Sequence, residues 1–185
     1  SIIMGNNRIL LGSVSVAKGN YKKAFMHFDY AKKGLQDNIY YYKEKILRNP
    51  DVMIAYIKQN ATSEILQAIS NTLEIYQKNF GKDNYQTYEI LGIRAMAYAN
   101  LSRTAEALED FKTAIPVLFS NNKKSGTSFI EKHHQKTIAE SYLNLLQKIH
   151  KEKKEAIYGL NISKTAFNLV QWMTNGQVQK ALGDN

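Results

Sequence analysis

Between Tyr88 and Leu118 small and aromatic side chains recur at intervals that suit one arrangement, two helices laid back to back. Leu91, Ala95 and Tyr98 fall on one face of a first helix, and Ala107, Phe111, Ala114 and Leu118 on one face of a second. Spacings of three and four residues share a helix face, whereas a strand alternates every two. The link Asn100 to Arg103 is polar and short, so the two helices must return antiparallel. Small residues at Ala95, Ala107 and Ala114 let them approach closely, and the bulk of Tyr98 and Phe111 fills the space beside them.

The same wording recurs upstream. Leu11 and Gly12, the turn Lys18-Gly19-Asn20, then Ala24, Phe28 and Ala31 repeat the pattern, and Gly12 stands twelve residues before Ala24 as Ala95 stands twelve before Ala107. Ser15 takes the place of the expected aromatic, so this pair should pack more thinly. A degenerate copy lies between: Asn49-Pro50 can cap a helix, because proline suits the first helical turn. Met53 and Tyr56 follow at the right interval, and Ile65, Ile69 and Thr72 take the second-helix positions.

A small, aromatic, small, aromatic, small order, here Ala95, Tyr98, Ala107, Phe111 and Ala114, resembles the tetratricopeptide repeat. Leu91 stands where that family usually has Trp, and Arg94 where it usually has Leu; Arg94 is expected on the edge of a groove. A helical hairpin from some other bundle is the alternative reading of this one unit. The second-helix starts Ala24, Ile65 and Ala107 are separated by 41 and 42 residues, longer than the roughly 34 of the common repeat. Thr62 to Phe80 as a long second helix, followed by the turn Gly81 to Asn84, accounts for the excess. The unit is similar to the longer variant found in kinesin light chains and many bacterial proteins.

Gln36 to Arg48, with Tyr40, Tyr41 and Tyr42, either prolongs the preceding helix or forms a short one of its own. Three consecutive tyrosines point in different directions on a helix, so they make a poor stacking platform for single-stranded nucleic acid. Ser120 to Ser128 is a loop rich in turn-forming residues. Phe129 to Ile149 then reads as a long helix with Ala139 and Tyr142 at the small-then-aromatic interval, and the run His150 to Glu155 as a turn. Ala156 to Met173 reads as its partner helix. Ala139 and Ala156 are seventeen apart, which implies about one extra helical turn. The units fall at about 5–45, 46–84, 85–121 and 127–174, with a short terminal helix at 176–183.

Ala166 to Leu182 carries a sharper resemblance. It looks like the segment that joins the repeats to the caspase-like peptidase in bacterial tetratricopeptide-repeat proteins bearing a CHAT domain. The matching residues are Ala166, Phe167, Leu169, Val178, Gln179, Lys180, Ala181 and Leu182; the usual Arg-Gly break appears as Thr174-Asn175-Gly176. The wording from Ala107 to Leu118 is similar to those proteins as well. In that family a His and Cys pair does the chemistry in the domain that follows, and no such residue can be carried over to a chain without cysteine.

The remaining chemistry is sparse. His133 and His134 are adjacent, whereas helical metal ligands prefer spacings of three or four, so hydrogen-bonded or solvated histidines are expected. His27 and His150 have no carboxylate at a suggestive spacing, and there is no glycine-rich phosphate loop. The formal charge of +9 could attract nucleic acid or an acidic partner. The lysines run from Lys18 to Lys180, however, and the clusters Lys123-Lys124 and Lys148 to Lys154 read as solvated turns. The absence of cysteine suits a reducing, cytoplasmic setting; no stretch approaches a membrane span, and SIIMGNN reads as a cut end without the features of a secretory signal.

These readings combine into an all-α, tetratricopeptide-like right-handed α-solenoid of about four helix pairs plus a short C-terminal helix. The expected role is that of a non-catalytic scaffold, the repeat region preceding a CHAT peptidase domain, that binds a protein or peptide, either a separate partner or a downstream domain of the same polypeptide. No cofactor, metal or membrane is expected, and the alternative is a basic helical module that binds nucleic acid. The groove positions are Asn6, Ile9, Ser13, Val16 and Ala17 in the first unit, and Glu89, Gly92, Met96, Ala99 and Asn100 in the third. Because these lack lysine, a clamp for a peptide carboxylate of the kind found in chaperone-binding repeat proteins is not expected.

Overall fold

A computed structural model describes residues 2–81, 84–120 and 129–183, with side chains as far as residue 174. Among the described residues there are nine α-helices and no strand. Four pairs are formed by α1 (Ile2–Ala17) with α2 (Tyr21–Leu35), α4 (Pro50–Lys58) with α5 (Thr62–Phe80), α6 (Tyr85–Asn100) with α7 (Thr104–Leu118), and α8 (Phe129–Lys151) with α9 (Ile162–Gly183). A one-turn α3 (Ile39–Tyr42) runs into a π-helical turn, Lys43–Leu47, between the first two pairs. Each first helix also packs on the first helix of the next pair, α1 on α4, α4 on α6 and α6 on α8.

The first three pairs share one turn. Gly19, Asn60 and Ser102 each lie two residues before a second helix and each adopt a left-handed conformation, with φ of 70°, 59° and 60°. In each case the next amide closes the helix end with a bond five residues back: Asn20 to Ser15 at 2.8 Å, Ala61 to Tyr56 at 2.9 Å and Arg103 to Tyr98 at 2.9 Å. This satisfies carbonyls that a helix end leaves bare. Only the first of these sites is glycine, which takes φ above zero without steric penalty; asparagine is the next most tolerant. Lys153 (φ 54°) and the Lys154 to Ile149 bond of 3.0 Å repeat the device at the end of α8.

Four helix starts share a second device, which α5 and α7 lack. Asn20, Asn38, Asn49 and Asn84 cap α2, α3, α4 and α6, their side-chain oxygens accepting from backbone amides at 2.8–3.2 Å, and Pro50 opens α4 as its sequence suggests. Such a cap is worth roughly 0.5–2 kcal/mol.

Close approach is made by small residues. Ala24, Ala31, Ala95, Ala107, Ala114 and Ala139 are all fully buried. Gly12 leaves room for Phe28, since a Cβ there would stand 2.3 Å from a Phe28 ring carbon. Phe111 stacks on Tyr142 of the next pair with ring centroids 4.8 Å apart. Ser15, where an aromatic was expected, is buried and turns its hydroxyl back onto the Leu11 carbonyl at 2.7 Å.

Three expectations are corrected. Ala156 is exposed and lies in the link between α8 and α9, so the extra spacing is an added turn, closed by Gly159 at φ 58°, and not extra helix. No separate terminal helix forms at 176–183, because α9 continues unbroken through Thr174-Asn175-Gly176. Arg94 is not at a groove edge: it makes a bidentate pair with Asp110 of α7, at 2.7 and 2.9 Å, beneath the Tyr98 ring. The expected loop at 120–128 lies almost entirely outside the described residues, as do residues 82 and 83 of the turn before α6 and the side chains of Val178 to Leu182.

Candidate functional site

Among the described residues, one buried histidine is held between two carboxylates. His134 of α8 lies between Asp51 of α4, 2.7 Å from Nε2, and Glu89 of α6, 2.9 Å from Nδ1. Their side chains are 5%, 11% and 9% exposed. Burial alone would lower the imidazole; hydrogen bonds to Asp51 and Glu89, with the charge of both, overcome it and hold its pKa up to about 9. Both ring nitrogens therefore carry protons at neutral pH, and each donates to a carboxylate. Neighbouring His133 moves the other way, lowered by burial and by the His134 charge. Its Nε2 lies 3.4 Å from the Tyr21 hydroxyl, so the start of α2 reaches α8. Both nitrogens of His134 are occupied, and among the described residues no group of His, Asp and Glu is placed to hold a metal ion.

Two turns farther along the same three helices, the surface opens. Asp51 and Lys58, Glu89 and Met96, and His134 and Ser141 are each seven residues apart, about 10 Å along a helix, and Lys58, Met96 and Ser141 all line one cleft of about 210 Å³. The three helices therefore run in the same direction, pinned together near their starts and parted near their ends. Ile57, Met96, Ala99 and Leu145 give the cleft an apolar floor, while Asn100, Ser141, Asn144 and two lysines rim it. The Lys58 ammonium lies 5.6 Å from the centroid of the Tyr21 ring, and Lys148 Nζ donates to the Ser102 hydroxyl at 3.4 Å. Among the described residues neither lysine has a carboxylate within 4 Å, although the Lys148 charge reaches Glu152, whereas Lys33, Arg48, Arg103, Lys136 and Lys154 each pair with an acid close in sequence.

Of the groove positions expected from sequence, Met96, Ala99 and Asn100 come together in this cleft. Asn100 is exposed there, accepting from Thr62 and donating to Asn60 at 3.0 Å. Glu89 is buried in the polar bridge, and Gly92 is packed so closely that a Cβ would stand 2.9 Å from Ile138. The α1 positions lie apart from the cleft: Asn6 is exposed, Ile9, Ser13 and Ala17 are half-buried, and Val16 is fully buried. The lysines that α1 and α6 lack are supplied by α4 and α8, whose groove positions sequence reasoning left unassigned. Tyr40 is 68% exposed while Tyr41 and Tyr42 pack on the core, so the three tyrosines present no common face. Phe167 of the α9 segment is exposed and Leu169 buried. No helix among the described residues is long and apolar enough to cross a membrane.

No family model matches the chain, and no curated protein or solved structure matches it.

Proposed function

We propose that the chain is a tightly curled, right-handed tetratricopeptide-like solenoid and acts as a non-catalytic scaffold, binding a peptide segment of a partner protein in the α4–α6–α8 cleft. Supporting the repeat reading are three pairs closed by the same left-handed turn, its device recurring at the end of α8, and the contact of each first helix with the next. The single observation that carries the binding role is a cleft with an apolar floor and two lysines on its rim, neither of them in an ion pair with a described carboxylate. At about 210 Å³ it is smaller than the roughly 300–1,000 Å³ of pockets for drug-sized ligands, which suits one or two side chains of an extended peptide. The lysines favour an acidic residue beside an apolar one. His134, buried between its two carboxylates, offers no free nitrogen to a substrate.

The Ala166 to Leu182 wording supports a place before a CHAT-type peptidase, and a His and Cys pair encoded downstream would strengthen it. The binding role is tested by selecting peptides from a random display library on the whole chain. Enrichment of acidic and aliphatic residues, with binding lost in Lys58→Glu and Lys148→Glu, is expected. Enrichment indifferent to both substitutions would overturn the reading. Tight binding of a single-stranded oligonucleotide that weakens steeply with salt would favour the nucleic-acid alternative instead.

A further inference from the structure

The polar bridge and the cleft are built on the same three helices in the same register. Asp51, Glu89 and His134 each stand seven residues before a cleft-lining residue, and they form the one polar tie among α4, α6 and α8 that the described side chains make in the core. With both nitrogens protonated, His134 donates to a carboxylate on either side and its positive charge separates two negative ones. Without one proton it keeps a single donor, and the two carboxylates then face each other across a neutral ring. An unsatisfied, like-charged pair in a low-dielectric interior is strongly unfavourable. One relief is for α4 and α6 to shift relative to α8, since packed helices can move as rigid bodies by about 1–2 Å.

We propose that the Asp51–His134–Glu89 bridge is a pH-responsive clamp on the cleft: the protonated imidazole holds α4, α6 and α8 at the spacing that admits a peptide, and loss of that proton releases both spacing and peptide. The regulatory part rests on the peptide-binding reading; the change in spacing does not. Other titratable groups flank the bridge. From α2, Tyr21 meets His133 and not His134. On α8, His133 is lowered by burial, and Glu131 lies one turn before the bridge. Tyr85 on α6 and Tyr76 on α5 both feel the Glu89 charge, and burial pushes both phenols up, so they stay neutral through the range in which His134 releases its proton.

The chain has no cysteine, so nitroxides can be placed at Gln59→Cys and Gln147→Cys, near the cleft ends of α4 and α8, without background labelling. Their separation in the ligand-free protein is measured by pulsed electron resonance as the pH rises. The distance should lengthen by about 1–2 Å as His134 deprotonates, and show no such step in a His134→Gln background. If His134→Gln fails to fold, Asp51→Asn replaces it, and the unsubstituted bridge still yields the step on its own. A distance constant with pH overturns the clamp. In parallel, a dansylated hexapeptide alternating leucine and glutamate is titrated by anisotropy at each pH. A fall in affinity of about fivefold or more, the lower end of ordinary coupling, in the same window supports regulation. A distance step with no peptide binding at any pH would uphold the clamp and remove the binding reading.

Discussion

Raising the pH should weaken the fold before it unfolds for other reasons, and the bridge sets both the window and the size. Histidine in an unfolded chain titrates near 6.5, whereas His134 in the folded chain is held up to about 9. Below about pH 6.5 both states carry the proton and the stabilisation is fully present. Between the two values the folded state binds a proton that the unfolded state lacks, so stability falls by at most about 1.4 kcal/mol per pH unit. Across the window this amounts to about 3 kcal/mol. His134 is only 5% exposed, so solvent screening does not reduce that figure much. A domain of this size has a total stability of roughly 5–15 kcal/mol, so the change is a large fraction. Urea unfolding from about pH 6 to about pH 9.5, on the unsubstituted chain and on His134→Gln, measures it. The variant should be weaker at pH 6 by about 3–5 kcal/mol, as when one member of a buried charged set is removed, and should lack the slope. Equal slopes for the two proteins would refute the assignment of a charged His134.

Gly12→Ala should lower the melting temperature although alanine favours helix by about 1 kcal/mol, because its Cβ would press on the fully buried Phe28 ring and overpacking costs about 1–3 kcal/mol. Ala107→Leu should cost a similar amount, since Ala107 is fully buried between helices; an unchanged melting temperature would count against the pairing of α6 with α7. Asp110→Ala should destabilise by about 1–3 kcal/mol by leaving the half-buried Arg94 guanidinium without its bidentate partner. Asp110→Ala combined with Arg94→Met should recover much of that loss in urea unfolding.

The helices and their pairing were legible because helix pairing is written locally. Ala95, Tyr98, Ala107 and Phe111 sit at intervals that name a face, and Asn49-Pro50 names a start. The Asp51–His134–Glu89 bridge was not legible, since its members come from three units and share no local motif. A signal did exist: Asp51 opens a run, Val52 to Ile57, that is buried throughout, and an acid in such a run asks for a partner. The adjacency of His133 and His134 drew attention to metal ligation and hid the fact that the two rings meet different surroundings. The break read at Thr174-Asn175-Gly176 failed because one glycine costs a helix only about 1 kcal/mol, too little to stop a helix that buries Leu169. The cleft was half legible: α6 supplied Met96 and Asn100 as expected, while its charge came from the ends of α4 and α8.

On the proposed reading, Ile57 and Lys58, Met96 to Asn100, and Ser141 to Lys148 together receive a peptide. Amide chemical shifts recorded by NMR while a display-selected peptide is titrated into the whole chain test it most directly. The largest changes are expected at those three segments, with α1 and the link between α8 and α9 little affected. Changes centred on α1, or spread evenly over the lysine-bearing surface, would contradict it.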